Sequence, residues 1–75
     1  MNNTRRKQIK RLVESIQEIR QRLEGIGDAE RDAYDSLPDA IQESETGTRM
    51  SEMADTLEEQ LGNLDDVVSE LESCV

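Results

Sequence analysis

Residues 34–47 read YDSLPDAIQESETG. This stretch decides how the rest of the chain is arranged, because it holds the only aromatic residue, the only proline and one of four glycines, between two long runs of periodic apolar residues. Pro38 disfavours helical geometry at the residue before it, so a helix arriving from the N-terminal side is expected to stop near Ser36. The segment LPDAIQES then fits a helix of one or two turns, with Pro38 in its first turn and Asp39 near its positive end. The stretch reads as the elbow of a helical hairpin.

On the N-terminal side the apolar residues run Ile9, Leu12, Ile16, Ile19, Leu23 and Ile26, with Val13 widening the stripe. Alternating spacings of three and four are the heptad signature of a helix with one buried face. Thr4 is the expected N-cap, followed by Arg5, Arg6 and Lys7, which oppose the helix dipole. Gly25 and Gly27 offer a stop or a kink, yet Ala29, Ala33, Tyr34 and Leu37 continue the stripe after a phase shift. A first helix over about 5–36 is therefore expected.

Beyond the elbow, Met50, Met53, Leu57, Leu61, Leu64, Val68, Leu71 and Val75 repeat the pattern, with a stutter between Leu57 and Leu61. Thr46 or Thr48 can cap this helix, and it is expected over about 48–73. Gly62 inside it costs about 1 kcal/mol relative to alanine and points to a close approach of helices. The expected fold is all-α: long helix, elbow over 37–47, long helix, in one domain spanning 1–75. Composition alone, 33% apolar and 36% charged, sits near the disordered class, and the periodicity argues against that reading.

A chain of 75 residues rarely stabilises itself with a private core. Cys74 is the only cysteine, so no intrachain disulfide helps, and a reducing, cytoplasmic setting is the simplest expectation. Assembly into a dimeric four-helix bundle or a larger oligomer is expected instead. The seam would be built from Ile9, Leu12, Ile16, Ile19 and Leu23 on one helix and Leu57, Leu61, Leu64, Val68 and Leu71 on the other. Charge agrees with an antiparallel hairpin: residues 1–22 carry a net +5 and residues 23–75 a net −14. No apolar run is long enough for a membrane span or a signal peptide.

Chemistry is sparse. The chain has no histidine and one cysteine, and no calcium-loop spacing, so neither a metal site nor a cofactor is expected. Without a positioned nucleophile or base, the acids read as a solvated surface and no enzyme activity is expected. The basic run RRKQIKR, residues 5–11, is of the kind that contacts nucleic acid, but a net charge of −9 and the lack of interleaved aromatics argue against that partner. At the elbow, Tyr34, Arg31, Arg49, Gln42 and Asp35 combine an aromatic face, two guanidinium groups and an amide. Those are the parts needed to stack a base and hold phosphate. In the plainer reading Tyr34 packs the hairpin end and both arginines form ordinary ion pairs.

The segment ERDAYDSLPDAIQESETGTRMSEMADTLEEQL, residues 30–61, resembles small acidic helical proteins of Gram-positive bacteria, their prophages and mobile elements. The likeness lies in an aromatic-Asp-x-Leu-Pro elbow, then Gln-x-Ser-Glu, a glycine, a methionine and an acidic leucine-rich helix. Tyr34, Asp35, Leu37, Pro38, Gln42, Ser44, Glu45, Gly47 and Met50 stand at those positions. The resemblance implies a counter-defence factor acting in a bacterial host cytoplasm, which sequesters a small nucleotide signal or binds a host defence protein. An acidic mimic of DNA and a coiled-coil assembly piece are the competing expectations.

Overall fold

A computed structural model describes residues 2–75 as an all-helical hairpin. Helix α1 spans Asn3–Asp35, the short α2 spans Asp39–Gln42 and α3 spans Glu45–Glu72. α1 continues unbroken through Gly25 and Gly27, because two glycines add only about 2 kcal/mol of propensity cost against the packing of a whole helix.

The caps differ from those read in the sequence. Asn2 rather than Thr4 begins α1, its side chain accepting from the Arg5 amide at 2.8 Å. Ser44 rather than Thr46 or Thr48 begins α3, its hydroxyl accepting from the Gly47 amide at 3.3 Å while donating to the Ile41 carbonyl. One serine thus satisfies an orphan donor of α3 while its hydroxyl ties back to the last turn of α2, which neither threonine is placed to do. Glu45 then falls in the first turn, where the dipole favours it.

Two long-range ion pairs anchor the register. Arg20 meets Asp65 and Arg31 meets Asp55, so moving forward along α1 moves backward along α3. Gly27 faces Leu57 closely enough that an added Cβ would sit 3.6 Å from the Leu57 Cβ. The same register sets Val13 level with Leu71, Ile16 with Val68, Leu23 with Leu61 and Tyr34 with Met50. Val13, Ala54 and Val68 are the buried apolar residues, and Ile9, Ile16, Leu23, Leu57, Leu61, Leu64 and Leu71 are partly covered around them. Leu12 and Ile19 stand outside this intrachain seam and are more than half exposed. The reason is angular: neighbouring residues on a helix point about 100° apart, so choosing the line Val13, Arg20, Gly27 turns Leu12 and Ile19 away.

The close approaches fall at glycines other than the one expected. A Cβ on Gly62 would meet nothing within 4 Å, whereas one on Gly47 would collide with the carbonyls of Ile41 and Gln42. Gly47 is what lets α3 leave the elbow at such a short distance from α2. The outcome is a rod 58 Å long and 15 by 12 Å across.

Candidate functional site

α1 ends where Ser36 donates its hydroxyl to the Asp32 carbonyl and Leu37 donates its amide to the Tyr34 carbonyl, at 2.8 and 3.0 Å. Pro38 cannot continue the helix, and its carbonyl accepts from the amides of Ile41 and Gln42 to start α2. The Gln42 side-chain amide then donates back to the Tyr34 carbonyl at 3.0 Å. The elbow is therefore closed by its own hydrogen bonds.

That closure settles what each elbow residue contacts within one chain. Tyr34 is partly covered at the hairpin end, level with Met50. Arg31 donates to Asp55 at 2.5 Å, and Asp35 lies close enough to help hold its charge. Arg49 donates to Glu45 at 2.6 Å, one turn back along α3 on the exposed side. The structure thus brings Gln42 to the main chain of Tyr34 and Asp35 to Arg31, and directs Arg49 to its own helix.

A recess does exist, but on the flank of the rod. An open groove of about 480 Å³ lies between α1 and α3, where Gly27, Gly62 and Ala54 leave little side-chain bulk. Its polar lining is Arg20, Glu24, Asp28, Arg31, Glu58 and Asp65. Arg20 clasps Asp65 with two nitrogens, at 2.6 and 3.3 Å, and reaches Glu24 at 2.7 Å. Its pKa is raised above the usual arginine value first by the hydrogen bond to Asp65, and that of Arg31 first by the bond to Asp55. A raised pKa stabilises the fold below the ordinary value and loses that effect only as pH climbs through the raised one. Both arginines therefore stay charged wherever the hairpin is handled. With carboxylates outnumbering the arginines, the groove offers an anion little and a cationic group more.

The sequence reading passed over Arg20 and Asp65. A periodic signal was present, since Arg20 continues the line Val13, Arg20, Gly27 at heptad spacing. A charged residue in that line is usable because its aliphatic stem lies along the seam while its guanidinium reaches the edge.

Comparison with protein-family models, with curated proteins and with solved structures finds no match to this chain.

Proposed function

We propose that this chain is a non-enzymatic binding protein that captures a positively charged surface of a macromolecular partner with its elbow end. A counter-defence factor of a phage or mobile element would use such a surface against a host defence protein. The observation that carries this reading is the placement of charge. The hairpin gathers residues 23–61 into one end of the rod, with twelve carboxylates against two arginines, a net of −10. Both of those arginines are already paired, with Asp55 and Glu45. All twelve carboxylates except Glu30 are exposed. Such a field draws a basic partner in at long range and rejects an acidic one.

The test is capture from a bacterial host extract on the immobilised chain, beside a variant with Asp28, Asp32, Asp35, Asp39 and Glu43 changed to their amides. The expected result is a basic protein held by the natural chain, eluted below about 0.5 M salt and absent from the variant. Equal retention on both columns, or none on either, would overturn it.

A small nucleotide signal bound at the elbow is the second reading. It is favoured by the partial exposure of Tyr34, the only π face in the chain, beside Arg31. Calorimetry against cyclic dinucleotides and ADP-ribose derivatives tests it. Bound heat that Tyr34→Ala weakens roughly ten-fold to a hundred-fold would restore this reading, because stacking contributes about 1 to 3 kcal/mol per base.

A further inference from the structure

One face of the hairpin is apolar and is covered by no other element among the described residues. On α1, Leu12, Ile19 and Ile26 each precede a residue of the seam line Val13, Arg20, Gly27; on α3, Met53 and Val67 precede Ala54 and Val68. These five side chains are between 44% and 59% exposed. Positions on the other side of the seam share the groove, since Glu24 and Arg31 of α1 and Glu58 and Asp65 of α3 all line it. The two apolar lines therefore share the opposite face, where together they form a ridge along the rod.

Area and charge indicate what covers that ridge. The chain exposes 5623 Å², whereas a compact monomer of 8.5 kDa exposes about 4,650 Å². The surplus of about 1,000 Å² is close to the ~800 Å² that each partner buries in a stable interface. Five cations, Arg5, Arg6, Lys7, Lys10 and Arg11, have no carboxylate partner among the described residues. In the hairpin register Val75 comes level with Ile9, so the start of α1 with Arg5, Arg6 and Lys7 overhangs the end of α3. The opposite end of the rod carries the net −10.

We propose that two copies of this chain pack ridge against ridge in antiparallel fashion, forming a four-helix bundle in which each basic overhang lies at the acidic elbow of the other copy. A two-fold axis near Leu23 sets residues 5–11 of one copy level with the segment 35–41 of the other. Parallel pairing would instead stack one acidic elbow on the other. The ridge lies opposite the acid-lined groove, so this assembly leaves the groove open, while each basic overhang offsets part of the charge at the elbow it meets.

Sedimentation at about 100 µM is expected to show a dimer, and a monomer at that concentration overturns the proposal. Ile19→Glu combined with Ile26→Glu is expected to weaken association at least about a hundred-fold, because each charge would be buried unpaired. Loss of the dimer supports the proposal whether or not helix content falls with it, and a variant that stays dimeric overturns it. Gln17→Glu, on the groove side, is expected to leave association unchanged, and equal damage from it counts against the ridge. Orientation is read from a spin label at Gln8→Cys in a Cys74→Ser chain. Antiparallel packing places the two labels about 45 Å apart. A separation under about 20 Å overturns the antiparallel arrangement.

Discussion

At the scale of single residues, the glycines carry opposite weights. Gly25 and Gly62 lie inside helices with open space where a Cβ would go. Alanine at either position is expected to raise stability by about 1 kcal/mol, and the two changes together by about twice that. Gly47→Ala is expected to lower stability by about 2 to 3 kcal/mol, since its Cβ would fall on the carbonyls of Ile41 and Gln42, which are fixed by the elbow. Thermal melts followed by circular dichroism separate the three. A Gly47→Ala chain as stable as the natural one would show that the elbow does not approach α3 as described. At the core, Val68→Ala removes two buried methyl groups and is expected to cost about 1.5 to 2 kcal/mol.

At the scale of elements, α3 depends on where it starts. Ser44→Ala removes the acceptor for the Gly47 amide and the donor to the Ile41 carbonyl, and is expected to cost about 1 kcal/mol. Thr46→Ala and Thr48→Ala lie inside the helix and are expected to change stability by less than about 0.5 kcal/mol. Amide exchange adds a local readout: the Gly47 amide should lose protection in the Ser44 variant and keep it in the threonine variants. If the threonine changes cost more than the serine change, the helix begins later than Glu45.

At the scale of the whole molecule, charge has two separable effects. Arg20→Gln is expected to lower the melting midpoint more at low salt than at high salt, because the Arg20–Asp65 bridge joins the two long helices near the surface. Changing Arg5, Arg6, Lys7, Lys10 and Arg11 to glutamine acts differently. These residues have no intrachain carboxylate partner among the described residues, and the first three oppose the dipole of α1. A dilute chain should therefore melt no lower than the natural one, while sedimentation at low salt should show weaker association. A fall in the dilute melting midpoint equal to that of Arg20→Gln would show that the basic run stabilises the single hairpin.

What the sequence determined by itself is whatever depends on near neighbours. Pro38 and the alternating spacings of three and four reside in the chain, so two long helices, an elbow between them and an all-α hairpin were legible without coordinates. The elbow residues were legible as a cluster of chemical types. That Gln42 binds the Tyr34 carbonyl and Arg31 binds Asp55 was not, because those contacts depend on how the elbow closes and on the register of α3. The seam was decided in the same way. The line Leu12, Ile19, Ile26 and the line Val13, Arg20, Gly27 have the same heptad spacing, and only the docking of α3 selects which is covered. Tertiary structure also folded the C-terminal acids beside the basic start of the chain, turning two oppositely charged halves into a rod with one acidic end. Helix formation is a local competition for backbone hydrogen bonds, whereas the covered face and the long-range field depend on where the second helix lies.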